Sequence, residues 1–193
     1  MEKLRKYITS LTEFSEESWN ILLPVLSRLE FRKGEYLLRA GEVCNALFFI
    51  ENGCCRSYYE KDGVEKNTAF YFENDIATNI RSFGSGEKSL YFIRAVEPLI
   101  IIAFDKKKLM EATKAAPQIE ALGRCCIRVF AARQDEFASL LNLYTAQERY
   151  EYLEKHYPAM LQRVSLTQLS SFLGVARETL SRIRRKRVHP SVL

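Results

Sequence analysis

Histidine is scarce, with only His156 and His189 in the chain, and no apolar run approaches the roughly 18 residues needed to cross a bilayer. Two distant histidines with no nucleophile pattern beside them give a Ser/His or Cys/His catalytic site little support. The opening MEKLRKYITSLTEF lacks the uninterrupted apolar stretch of a secretory signal, so a soluble, cytoplasmic protein with no membrane partner is expected. The five cysteines (Cys44, Cys54, Cys55, Cys125, Cys126) are odd in number, include two adjacent pairs and hold no C-x-x-C. That spacing suits neither a disulfide framework nor a zinc or iron–sulfur site; no metal and no cofactor is expected, and the thiols read as ordinary buried or half-buried side chains. Scattered carboxylates such as Glu73 and Asp75 show no paired acid/base spacing, which leaves an enzyme the least supported class.

What is present is enough hydrophobic material, 47% of 193 residues, for one large domain or two small ones. The pattern predicts an α+β chain in three parts: a β-roll over 1–117, a long helix over 118–142 and a helical domain over 143–193. In the first part, short amphipathic helices around Phe14, Trp19 and Leu22 lead into strand-length runs such as KGEYLLRAGE, ALFFIENGCCRSYYE and SLYFIRAVEPLIIIAF, punctuated by Gly34, Gly41 and Gly53. Asp62-Gly63 is a hairpin turn by composition. In the second part, Ile119, Leu122, Cys126, Val129, Phe130 and Phe137 recur at helical steps after Pro117, on an element longer than a small roll needs for cover. These six residues are therefore expected to form the seam of a homodimer.

The third part carries the charge. The whole chain is only +5, yet 177–187 (RETLSRIRRKR) holds Arg177, Arg182, Arg184, Arg185, Lys186 and Arg187 against the single acid Glu178, a footprint suited to phosphate. Ahead of it, 146–157 has helical spacing that Pro158 ends. Ser165 and Gln168 fit a capping box opening a short helix to Leu173, Gly174 suits a left-handed turn, and Ala176 to Lys186 forms a second helix with Leu180 and Ile183 turned inward. Two helices joined by such a turn are the helix-turn-helix plan.

The stretch SLTQLSSFLGVARETLSRIRRK resembles the helix-turn-helix of the Crp/Fnr family of regulators, whose G-x-S-R-E-T-x-S/G-R-I/L core is matched by Gly174 to Ile183. The resemblance implies a cyclic nucleotide-binding-like jelly roll, a dimerisation helix, and double-stranded DNA as partner of a homodimer, with RNA polymerase a further partner it admits. It makes Arg177, Glu178 and Arg182 the base-reading residues. Arginine matches guanine O6 and N7, and glutamate accepts from cytosine N4. Ser165, Thr167, Thr179 and Ser181 would hold phosphates, and Arg184, Arg185 and Lys186 would add sequence-independent affinity. Two departures stand out: Ala176 replaces the usual hydroxyl before the Arg-Glu pair, and the residues after 187 are too few for a two-stranded wing.

In relatives that bind cyclic nucleotides, a Gly-Glu pair precedes an Arg-Ser/Thr-Ala triplet. Here Thr78-Asn79 and Ser89-Leu90-Tyr91 stand in those places, so cyclic AMP is not the expected effector. An unknown small molecule remains the expectation for a pocket at Thr78, Asn79, Gly84, Gly86, Lys88 and Ser89, where two glycines and a lysine can build an anion nest. The function expected is a sequence-specific regulator of transcription. The alternative is a small-molecule- or protein-binding module of the same fold that does not meet DNA.

Overall fold

The computed structural model describes residues 1–188; His189 and the segment in which a wing was looked for lie outside the described residues. After α1 (Glu2–Leu11) and α2 (Glu16–Leu22) come β1 (Leu26–Phe31), β2 (Tyr36–Leu38), β3 (Ala46–Asn52), β4 (Cys55–Lys61), β5 (Val64–Tyr71), β6 (Ile76–Ala77), α3 (Ile80–Ser85), β7 (Phe92–Ala95) and β8 (Leu99–Asp105). The strands pair antiparallel in two four-stranded sheets, ordered β1-β8-β3-β6 and β2-β7-β4-β5. Asp62 and Gly63 both take positive φ, 53° and 74°, as a two-residue hairpin between β4 and β5 requires.

Alternation along β3 explains its run of large side chains. Phe48 and Ile50 enter the core between the sheets, whereas Phe49 points the other way into a second core with Leu4, Ile8, Trp19, Leu22, Ile102 and Phe104. Both faces of this strand are covered, so a continuous apolar stretch replaces a polar-apolar pattern. The same rule separates the neighbouring cysteines: Cys55 lies between the sheets, and Cys54 faces the opposite side. All five thiols are free, the first three buried and Cys125 and Cys126 half-buried.

Following α4 (Lys106–Ala115), α5 (Pro117–Leu143) runs for 27 residues. Its first turns close the core of the N-terminal helices through Ile119 and Leu122, and its last turns enter a third core through Phe137 and Leu140. Arg133 fastens its middle to the roll, pairing with Asp75 at 2.7 Å and donating to the Phe70 carbonyl at 2.8 Å.

That third core corrects the expected seam. Ile119, Leu122 and Phe137 are enclosed by their own chain, and Cys126 packs against the first core. The apolar stripe seen in sequence is the intramolecular one. A different set faces outward at three- and four-residue steps: Gly123, Ile127, Ala131, Gln134 and Ala138, with half-buried Phe130 at its edge. Val129 is exposed on another side of the helix.

Candidate nucleic-acid interface

Four helices follow: α6 (Ala146–His156), α7 (Pro158–Arg163), α8 (Leu166–Leu173) and α9 (Arg177–Val188). Pro158 both ends α6 and starts α7 at its first turn, where a missing N–H costs nothing. The sequence reading missed α7, and it missed the capping box that opens α6, in which Thr145 accepts from the Glu148 amide and the Glu148 carboxylate from the Thr145 amide. Thr145 followed three residues later by Glu148 was the available signal.

Ser165 caps α8 by accepting from the Gln168 amide at 3.3 Å. Gly174 ends it with φ 66°. A Cβ there would meet nothing nearer than an Arg149 nitrogen at 3.8 Å, so backbone conformation and not space asks for glycine. Leu169, Phe172, Leu173 and Leu180 are buried together, which fixes α9 across α8. The opposite side of α9 is open: Arg177, Glu178, Arg182, Arg184, Arg185 and Lys186 are exposed, while Thr179 and Ser181 are half-buried. Arg177, Glu178, Ser181, Arg182, Arg185 and Lys186 join Leu166 around a concavity of about 630 Å³. The proposed base-reading trio thus shares one accessible surface. Ser165 and Thr167, also exposed, sit at the start of α8, where free amides favour an anion.

The pair of helices is held from two sides. Toward the roll, α8 lies on the free edge of β5: the Ser171 hydroxyl accepts from the Asn67 amide at 3.0 Å and donates to the Glu65 carbonyl at 2.9 Å. Phe172 meets Phe70 edge-on, with ring centroids 5.5 Å apart. Arg163, just before α8, chelates Glu73 at 2.7 and 2.9 Å and reaches Glu97 at 3.1 Å through Nε. Burial alone would push the Glu73 carboxyl up, but the Arg163 guanidinium and the Gly53 amide outweigh it and hold it at about 2. Toward α5, Glu136 accepts from the Tyr152 and Tyr157 hydroxyls at 2.6 and 2.7 Å. Arg149 donates to the carbonyls of Leu141, Tyr144 and Leu173 at 2.7, 2.9 and 2.6 Å. None of these clamps was visible in sequence, since each joins residues from separate elements.

The expected effector pocket takes another form. Thr78, Asn79 and Ser89 are buried and satisfied by their own chain. Asn79 caps α3 through the Ser82 amide and donates to the Ser89 hydroxyl at 2.8 Å; Ser89 donates to the Tyr91 carbonyl, and the Tyr91 hydroxyl to the Thr78 carbonyl. Gly84 lies within α3 and Gly86 is its left-handed C-cap. A helix C-terminus presents carbonyls, so Gly84, Gly86 and exposed Lys88 do not make the anion nest that their spacing had suggested.

Among the described residues no His, Cys, Asp and Glu cluster could hold a metal, and no helix is long and apolar enough to cross a membrane.

Residues 28–116 match the family described as Cyclic nucleotide-binding domain. No curated protein matches the sequence. Among solved structures, the chain is similar to FixK2 from Bradyrhizobium japonicum (20% identity, 86% of each chain, TM-score 0.69). It is also similar to the c-di-GMP responsive global regulator CLP of Xanthomonas campestris (15% identity, 93% of this chain and 94% of that one, TM-score 0.70). A chain from Eubacterium rectale, described as of the Crp/Fnr family, matches with 12% identity over 91% of this chain and 85% of that one, at TM-score 0.70. At such identities the likeness establishes the fold.

Proposed function

From the premise that residues 28–116 are a cyclic nucleotide-binding-type domain and that the chain has the Crp/Fnr regulator fold, we propose that it is a sequence-specific, DNA-binding regulator of transcription that works as a homodimer. One observation carries the reading: a short helix held by a buried seam of leucines and phenylalanine presents Arg177, Glu178 and Arg182 together on an open, cationic face. Such a rod fits a major groove, its first residues nearest the base edges. Ser165, Thr167, Thr179 and Ser181 then lie where phosphate contacts set register, and Arg184, Arg185 and Lys186 extend the charge along the backbone.

The homodimer seam is the outward stripe of α5: Gly123, Ile127, Phe130, Ala131, Gln134 and Ala138. Small residues there let two helices approach closely, and a two-fold axis along α5 supplies paired half-sites. The roll is a sensor in which Asn79 and Ser89, where the family resemblance puts the nucleotide cassette, share a hydrogen bond of their own, and its effector is a small molecule other than cyclic AMP. An effector acts by binding the DNA-competent arrangement more tightly than the incompetent one.

The direct test is an electrophoretic shift of genomic fragments by the full chain at several salt concentrations. Retention of a subset of fragments as salt rises is expected, because base contacts survive screening better than phosphate contacts. Equal loss from all fragments would overturn the reading.

A further inference from the structure

Arg149 lies at the junction between the long helix and the reading face. Its three donated bonds end on Leu141 in the last turn of α5, on Tyr144 at that helix's C-cap, and on Leu173 at the end of α8. The next residue, Gly174, makes the turn into α9. One planar guanidinium therefore ties the end of the helix carrying the proposed two-fold axis to the turn that aims the reading helix. All three acceptors are neutral carbonyls at helix C-termini, where the backbone carries partial negative charge and a fixed cation is favoured. No carboxylate pairs with Arg149 among the described residues, so its hydrogen bonds are spent wholly on this backbone junction. A lysine, with its donors on one nitrogen, lacks the planar fork that meets divergent acceptors.

We propose that Arg149 is the positioning residue that sets the angle of each reading helix relative to the dimer axis, and hence the spacing of half-sites the dimer accepts. It does not touch DNA and is not needed for the helix-turn-helix core, which Leu169, Phe172, Leu173 and Leu180 close without it. Removing it leaves each reading face intact but lets the two faces vary in separation. The inference rests on the DNA-binding homodimer proposed above.

The test begins with selection of binding sites by the full-length wild-type chain from random duplex DNA. Wild type, Arg149→Met and Arg149→Lys are then measured on the selected paired site, on one half-site alone, and on paired sites lengthened or shortened by single base pairs. Thermal melts of each protein accompany the binding curves. For wild type, one inserted base pair should weaken binding by about tenfold or more, because it rotates one half-site away from its reading helix. Both variants should bind the single half-site within about twofold of wild type yet lose most of that spacing preference.

Retention of the wild-type spacing preference by a folded Arg149→Met or Arg149→Lys overturns the inference. So does a loss of half-site binding as large as the loss on the paired site, which marks a merely structural role. Should Arg149→Met fail to fold, the Arg149→Lys measurement decides alone. A wild-type chain that selects no paired motif overturns the DNA-binding homodimer itself, a result distinct from either of the others.

Discussion

The Ser171 hydroxyl completes the hydrogen bonding of the β5 edge at Asn67, accepting its amide proton while donating to the Glu65 carbonyl two residues away. Asn67 returns a bond from its side chain to the Gln168 carbonyl, and its Oδ1 accepts from the buried Arg56. An edge strand that would otherwise offer free backbone groups is thus blunted by the first helix of the helix-turn-helix. The motif is therefore built onto the roll, and changes in the β4–β5 hairpin have a short route to α8.

Replacing Ser171 with alanine removes both bonds and strands the Asn67 amide. Stability should fall by about 1–3 kcal/mol, read from urea denaturation, the usual cost of an unsatisfied buried donor. Amide exchange should quicken around α8 and β5 and stay unchanged in β1 and β8. Uniform change across both sheets would show that Ser171 does not act locally.

The Arg163–Glu73 clamp predicts an acid-labile junction. With its folded value held at about 2 against an ordinary 4.5, Glu73 contributes stability that is fully present above pH 4.5 and lost as pH falls toward 2. For a carboxylate 28% exposed, about 2 kcal/mol remains after solvent screening. Glu73→Gln should melt lower than wild type at pH 7, and the gap should shrink below pH 4. A pH-independent gap would mean that Glu73 ionisation is not what matters.

Arg177→Ala combined with Arg182→Ala should abolish discrimination between the selected site and random duplex while leaving weak, salt-sensitive binding. Loss of two base contacts removes about 2–6 kcal/mol of discrimination. Preserved specificity would place the reading face elsewhere.

Ile127→Arg puts a charge on the outward stripe of α5, where Ile127 is 56% exposed in the single chain. Sedimentation should show the two-chain species giving way to one chain, with the fold retained by far-UV circular dichroism. A dimer that survives would falsify the revised seam.

Calorimetric titration with cyclic AMP or cyclic GMP should give no binding at micromolar concentration, because Asn79 and Ser89, which stand where the family resemblance puts the nucleotide cassette, bond to each other. Micromolar binding of either would show that this network opens.

The Asp62-Gly63 turn, the long helix and the Ser165-to-Gly174 sequence of cap, helix and turn were legible because each rests on local physics. Side-chain period, proline and positive φ act within a few residues and leave their marks in the chain order. The α5 seam was misread for a related reason: periodicity reports that a helix has an apolar face, but not whether that face meets its own chain or another. Ile119, Leu122 and Phe137 satisfy the pattern from inside the protomer, and the outward stripe with its glycine and alanines is too weakly hydrophobic to stand out. The anion nest failed similarly, since Gly84 and Gly86 mark a turn without saying which end of a helix it closes.

By itself the sequence determined most of the helices and strands, though not α3 or α7, and that a strongly cationic helix follows a glycine turn. Only the tertiary structure decided that α8 sits on the β5 edge, that Arg163 ties the motif to the roll and Arg149 to α5, and that Asn79 and Ser89 bond to each other. Those contacts join residues far apart in the chain, as Arg163 and Glu73 are, 90 positions from each other. Packing and chain closure select such partners, and no local rule encodes them.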